Sequence, residues 1–281
     1  MSLEVFFAVL AAAIMHAAWN AMIKQRLDRF LSISLMSFAM GLLSLACLPF
    51  VAIPQGITWF WIILSALLHT GYKIYLIRAY DSGDLAQIYP LARGAAPLIM
   101  ALAGVLLLSE ILSPTMATGI IVLCVGIGLM AARGGVQLER LSGLAISNAL
   151  ITSLFIAGYT LTDGIGARTA PTASSYAVWM FAIDGFWMAL FCMVMRGRQA
   201  FVSVLPEWRS GLVTGALSLG AYWIVIWAMT KAPIAAVAAL RETSILFAVL
   251  ISVVFLKERL TGWRSLACLL IVAGVIVLRM G

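Results

Sequence analysis

Apolar residues fall in ten long runs, at roughly 3–23, 30–52, 58–80, 85–108, 113–132, 142–163, 172–195, 208–230, 233–256 and 261–279. A helix rising 1.5 Å per residue needs about 20 residues to cross a hydrocarbon core of about 30 Å, and each run meets that length. The joints between runs carry turn chemistry: Pro49 and Pro54, Pro114, Gly134-Gly135, Pro171, Pro206 and Pro233. The pattern predicts an all-α, polytopic membrane protein of ten transmembrane helices.

Composition sharpens this expectation. Of 281 residues, 64% are hydrophobic and 10% charged, whereas a soluble domain has about a quarter of its residues charged. Ten spans consume about 200 residues, which leaves short loops and no room for a soluble domain. The net charge of +7 does not point to nucleic acid, because the cations stand singly or in small groups at the ends of the runs. The bilayer is the expected partner.

Loops after the odd-numbered runs and their flanks hold Lys24, Arg26, Arg29, Arg78, Arg133, Arg140, Arg196, Arg198, Arg209, Lys257, Arg259 and Arg264; the other side holds Arg168, Lys231 and Arg279. Cation-rich loops stay cytoplasmic, so both termini are expected in the periplasm of a bacterial inner membrane. Glu4 precedes the first run and cations follow it, the polarity of an uncleaved helix and not of a signal peptide. Cys47, Cys124, Cys192 and Cys268 lie inside apolar runs at wide spacings, as small packing residues. Neither a metal site nor a cofactor is expected.

An internal repeat organises the chain. Shifted by 148 residues, Arg93 meets Arg241, Glu110 meets Glu258, Leu112 meets Leu260, Ser113 meets Thr261 and Gly126 meets Gly274. Ala17-Ala18-Trp19-Asn20 resembles Ala157-Gly158-Tyr159-Thr160 at a different shift. The expected units are residues 1–135 and 136–281. Five helices per unit is an odd number, so the second enters the membrane upside down. Inverted repeats are the architecture of secondary transporters, with a binding site near the midplane between the halves.

With the His16-Ala17-Ala18-Trp19-Asn20 run, Lys24, the paired Glu-x-Leu-Ser/Thr joints at 110–113 and 258–261, and the glycines of runs five and ten (Gly119, Gly126, Gly128, Gly274), the chain resembles the drug/metabolite transporter superfamily over nearly its whole length. The likeness is to the ten-helix EamA branch, whose YddG-type amino-acid exporters offer the nearest comparison. The resemblance implies a basket of helices 1, 3, 4, 6, 8 and 9 around a central cavity, with helices 5 and 10 peripheral. It also implies export of amino acids or related metabolites.

Charge and polarity inside a span are costly, about 2.5–3.5 kcal/mol per charged residue on insertion scales, so such residues mark a cavity or a partner. His16, Trp19 and Asn20 share one helix face at i, i+3 and i+4, as do His69, Tyr72 and Lys73. Tyr89 and Arg93 stand four apart in a run interrupted by Pro90, Gly94 and Pro97, and the matching run nine presents Arg241, Glu242 and Thr243. Tyr159, Tyr222 and Trp223 add aromatic faces. All of these are candidate substrate contacts, each with a packing or anchoring alternative. Glu242 and Asp184 are the candidate proton-coupling carboxylates; Asp163 stands at the predicted end of run six, where solvation is the simpler reading. Small residues along runs five and ten fit packing within a monomer or a weak homodimer seam.

No pairing of nucleophile and base and no His-Glu-x-x-His spacing appears, which argues against an intramembrane enzyme. The expected function is alternating-access transport of a small metabolite, an amino acid first. An organic-cation or drug exporter and a sugar-phosphate-type exchanger are the alternatives. The former needs an unpaired carboxylate in an aromatic box, the latter several cavity cations.

Overall fold

Hydrocarbon offers the backbone no hydrogen-bonding partner, so an apolar run in lipid satisfies its own N–H and C=O groups as a helix. The structure is a computed structural model that describes residues 1–22, 27–81, 91–133, 142–255, 257 and 260–281. Its α-helices are α1 (Leu3–Met22), α2 (Arg29–Cys47), α3 (Thr58–Asp81), α4 (Ala96–Leu108), α5 (Pro114–Arg133), α6 (Gly143–Thr169), α7 (Ala173–Arg196), α8 (Arg198–Val204), α9 (Trp208–Met229), α10 (Ile234–Arg241), α11 (Ser244–Phe255) and α12 (Gly262–Met280). The described residues hold no strand. Nine helical stretches among them are long and apolar enough to cross a bilayer, and Leu91–Leu107 is a shorter tenth. The protein is a multi-pass membrane protein of the all-helical, two-repeat kind that its sequence predicts.

Side chains start several helices by accepting from otherwise orphaned first-turn N–H groups. Asp28 accepts from Leu31 at 2.9 Å, Ser142 from Ala145 at 3.1 Å, Thr172 from Ser175 at 3.0 Å and Thr261 from Arg264 at 3.3 Å. Two boundaries depart from expectation. Residues 198–204, which fall between the seventh and eighth runs, form the short helix α8. More consequentially, α6 runs past the predicted end at Asp163 to Thr169. A charge usually marks the membrane edge, but nothing between Asp163 and Pro171 breaks a helix. Asp163 is therefore wholly buried, and its reading as a solvated terminal residue is corrected.

The ninth run is broken where α10 gives way to α11 across Glu242 and Thr243, and residues 91–94 give way to α4 at a bend on Ala95. Ala95 and Thr243 are 148 residues apart, so the two halves break at one repeat position.

Packing follows the same exchange. Helix α1 lies on α9 as α6 lies on α3, while α2 meets α7 and α5 meets α12, each against its own counterpart. The α5–α12 seam shows the symmetry in detail. A Cβ on Gly126 would stand 2.8 Å from Ile271 Cγ1, and one on Gly274 would stand 2.6 Å from Leu123 N. Leu123 and Ile271 are themselves 148 apart, so one contact is made twice. At the α2–α7 crossing, a Cβ on Gly41 would meet Gly185 Cα at 2.9 Å. Lipid supplies no hydrophobic force between helices, so close backbone approach carries the packing.

One end of the bundle is sealed by polar ties. Arg168, near the end of α6, donates through Nε and Nη2 to the Met229 carbonyl at 3.0 and 2.9 Å, and through Nη2 to Glu110 Oε1 at 3.2 Å. Glu110 Oε1 also accepts from the Ile234 N–H at the start of α10, at 3.0 Å. The joint before α5 is thereby fastened to α6, α9 and α10. Its repeat counterpart Glu258 lies outside the described residues, as do Lys24, Arg26, Arg140 and Arg259.

The seam makes a direct prediction. Gly274→Leu forces a side chain into the Leu123 backbone and lowers the thermal unfolding midpoint of the detergent-purified protein, at a cost of about 1–3 kcal/mol. Gly128→Ala, whose added Cβ would meet nothing within 4 Å, leaves the midpoint in place.

Candidate functional site

Helical period sets which polar residues converge. On α1, His16, Trp19 and Asn20 face inward together; on α3, Ser65, His69, Tyr72 and Lys73 form one stripe. These two stripes, without Ser65, and with Tyr159 of α6, Phe181 and Asp184 of α7, Ser218 and Tyr222 of α9, and Arg241 at the end of α10, line a cavity of about 100 Å³ between the halves. Ile33, Met36 and Met40 of α2 complete it. Compared with the basket implied by the resemblance, the wall also takes in α2 and α7. The fourth span contributes through Arg93, which stands behind the wall. Helices α5 and α12 supply no lining residue. A wider hollow of about 390 Å³ sits at the end opposite the Glu110 seal, between Met22, Leu35, Pro206 and Thr214.

The charges are arranged in two buried groups. Lys73 Nζ donates to both oxygens of Asp184, at 2.9 and 2.7 Å, from α3 to α7. Arg93 grips Glu242 bidentately, Nε to Oε2 at 2.6 Å and Nη2 to Oε1 at 2.7 Å, and its Nη1 donates to His16 Nε2 at 3.0 Å. Such fork-on-fork pairing is the strongest protein ion-pair geometry. Arg241 comes second: its Nη2 is 3.6 Å from Glu242 Oε1, beyond hydrogen-bond length, and its guanidinium stands over the Tyr222 ring at 5.6 Å. Arg241 is 3% exposed, and its Nε has no hydrogen-bond partner among the described residues.

Repeat symmetry explains the imbalance. Arg93 and Arg241 are counterparts, but the counterpart of Glu242 is Gly94. Two arginines share one carboxylate, Arg93 holds it, and Arg241, a lining residue of the cavity, is left with the longer approach to Glu242 and the face of Tyr222. Trp19 is also on the wall, and its indole Nε1 is buried without an acceptor among the described residues.

Aromatic rings floor the cavity. His69 stacks on Tyr159 with centroids 4.0 Å apart, Tyr72 meets Tyr159 edge-on at 5.6 Å, and Tyr222 lies edge-on to His69 at 5.5 Å. His16 meets Trp19 edge-on at 4.9 Å, and Asn20 Nδ2 donates to the His16 carbonyl at 2.8 Å.

Of the sequence candidates, His16, Trp19, Asn20, His69, Tyr72, Lys73, Tyr159, Asp184, Tyr222 and Arg241 share the wall. Arg93 and Glu242 form the pair behind it. Thr243 is buried in the helix break and donates to the Leu240 carbonyl at 2.8 Å. Trp223 points away and donates to Ser174 Oγ at 3.0 Å. Tyr89 lies outside the described residues. Ser65 and Tyr176 escaped the sequence reading, which named Asp163 but gave it to solvent; extending the His69–Lys73 stripe back by one turn reaches Ser65. The described residues hold no group of three His, Cys, Asp or Glu suited to a metal.

The profile of the EamA-like transporter family matches residues 3–132 and 143–280. No curated protein matches the chain. A solved crystal structure of a protein, 19% identical, superposes with a TM-score of 0.76 over 99% of this chain and 96% of its own; at that identity the likeness speaks for the fold alone.

The Lys73–Asp184 pair yields a prediction. Lys73→Met or Asp184→Leu alone strands a buried charge and destabilises by about 3–5 kcal/mol. The double variant Lys73→Met/Asp184→Leu regains most of the lost thermal midpoint, because it strands none.

Proposed function

The chain belongs to the EamA-like transporter family, and from that premise we propose that it exports a small carboxylate-bearing metabolite, an amino acid first, by alternating access. One observation supports this reading: two residues of the cavity wall, Arg241 and Trp19, carry buried donors without acceptors among the described residues. An unsatisfied buried donor costs about 1–3 kcal/mol. A ligand carboxylate seated between them supplies the missing acceptor and the charge that Glu242 alone does not.

Size and charge weigh against the alternatives. Drug-sized ligands occupy sites of about 300–1,000 Å³, and this cavity is about 100 Å³, which favours a solute of few heavy atoms. A sugar-phosphate exchanger calls for several available cations, whereas Lys73 and Arg93 are engaged by Asp184 and Glu242. Those pairs support a structural or gating role for the two carboxylates. A carrier of this kind needs no bond-making chemistry, and no reaction is assigned to it.

In the proposed orientation both termini are periplasmic, which sets the Glu110–Arg168 seal on the periplasmic face and the Arg209 hollow on the cytoplasmic face. The cation asymmetry of the loops supports it. A C-terminal alkaline phosphatase fusion is then active in bacterial cells and the matching green fluorescent protein fusion dark; the reverse result overturns the orientation.

Transport is tested with purified protein in proteoliposomes and a panel of labelled amino acids. At least one is expected to exchange across the membrane, and Arg241→Ala lowers that flux about 10- to 100-fold, the worth of one charge-assisted hydrogen-bonded contact. Undiminished flux in Arg241→Ala, or competition by organic cations in place of amino acids, counts against the reading.

A further inference from the structure

Asp163 differs from the other carboxylates buried within the helical bundle. Glu242 has Arg93 and Asp184 has Lys73; no lysine or arginine among the described residues lies within ion-pair distance of Asp163, which is 0% exposed. Its partners are three neutral hydroxyls from three different helices. Ser65 of α3 donates to Oδ1, Tyr176 of α7 donates to Oδ1 at 3.0 Å, and Tyr222 of α9 donates to Oδ2 at 2.6 Å. Lone carboxylates are scarce inside membranes because the charge is expensive there, and they mark proton relays.

Hydrogen bonds tie this carboxylate to residues of the cavity wall on two sides. Tyr222 is itself a wall residue, with its hydroxyl on Asp163 and its ring beneath Arg241. On the other side, His69 lines the cavity and its Nδ1 lies 3.0 Å from the Ser65 carbonyl and 3.2 Å from Ser65 Oγ. The carbonyl is an acceptor only, so Nδ1 carries hydrogen on that contact, and Ser65 Oγ in turn donates to Asp163. The groups facing Asp163 are thus Ser65 and His69 from α3, with Lys73 and its partner Asp184 beyond them. Tyr176 faces it from α7 and Tyr222 from α9, with Arg241 of α10 over that ring, and Tyr159 faces it from α6 itself. Helix α4 brings no titratable group.

Resting on the transport reading above, we propose that Asp163 is the proton-binding site of this transporter, loaded from the cavity through Tyr222 while Ser65 and Tyr176 hold its other oxygen. The step balances as a relay. Tyr222 passes its hydroxyl proton to Asp163 Oδ2 and takes one from a hydronium ion in the cavity, so that an O–H bond forms on the carboxyl and the phenol is restored. Unloading runs the same transfers backwards. Protonating Glu242 or Asp184 instead would leave a buried cation without its partner, whereas protonating Asp163 removes an uncompensated charge and keeps all three hydroxyl neighbours within bonding distance.

Infrared difference spectroscopy of the purified protein between alkaline and acidic buffer reads this without any transported solute. The expected result is a protonated-carboxyl stretch that Asp163→Asn abolishes, that Asp163→Glu returns at a shifted position, and that Glu242→Gln and Asp184→Asn leave in the spectrum. Persistence of the band in a folded Asp163→Asn protein, or no titrating band in the wild type, overturns the proposal. In proteoliposomes, a pH gradient changes wild-type exchange of the labelled amino acids and leaves Asp163→Asn unresponsive. Amino-acid flux indifferent to the gradient in the wild type refutes proton coupling while the transport reading stands. A titrating Asp163 without flux of any amino acid refutes the substrate class and leaves the proton site in place.

Discussion

Two arginines and one carboxylate, enclosed together in a low-dielectric interior, are the constraint around which the cavity is organised. Coulomb attraction strengthens several-fold as the effective dielectric falls from water's value toward that of an interior, so the pairing in this group is far from incidental. Arg93 takes both oxygens of Glu242. Arg241 is held close enough to feel that charge and too far to bond it. Its remaining support is the face of Tyr222, a weaker partner than an anion. The group carries one positive charge more than its carboxylate balances, and that excess sits on the wall of the cavity. A carboxylated solute is the complement we propose for it.

Gene duplication supplies the geometry for this. Both halves break a helix at the same repeat position, at Ala95 and Thr243, and both place an arginine just before the break. The symmetry fails at one residue, Glu242 against Gly94, and that failure creates the unbalanced cation. Among the described residues, the ion pairs distant in sequence all cross from one half to the other: Lys73 with Asp184, Arg93 with Glu242, Glu110 with Arg168, and Asp28 with Arg196. Between helices in lipid, close packing and polar ties replace the hydrophobic force. The glycine seam of α5 and α12 is a tight, apolar contact that contributes no residue to the cavity wall, whereas the charged ties include those at the cavity and at the sealed end. Relative motion of the halves must remake the polar ties and can leave the seam intact.

Much of this was legible in the sequence because the membrane simplifies the reading. Span number, the 148-residue repeat and the inward stripes of α1 and α3 follow from apolar length and the helical period, and ten of the candidate residues share one wall. What the sequence hid were choices made in three dimensions. Trp223 and Tyr222 are adjacent and equally aromatic, yet a rotation of about 100° per residue sends one to the cavity and the other to Ser174. Asp163 looked terminal because charge normally ends a span; its three hydroxyl partners come from positions 65, 176 and 222, which no local pattern links. Glu242 and Asp184 announced themselves as buried carboxylates, but their cations stand 149 and 111 residues away.

The central claim, that Arg241 is a binding charge awaiting a solute, is tested most directly by determining the structure of the protein in lipid nanodiscs with a transported amino acid bound. The account predicts ligand density in the midplane cavity, with the carboxylate against Arg241 and within hydrogen-bond reach of Trp19 Nε1, and with the Arg93–Glu242 pair intact. A ligand seated elsewhere, or one whose carboxylate leaves Arg241 untouched, contradicts it.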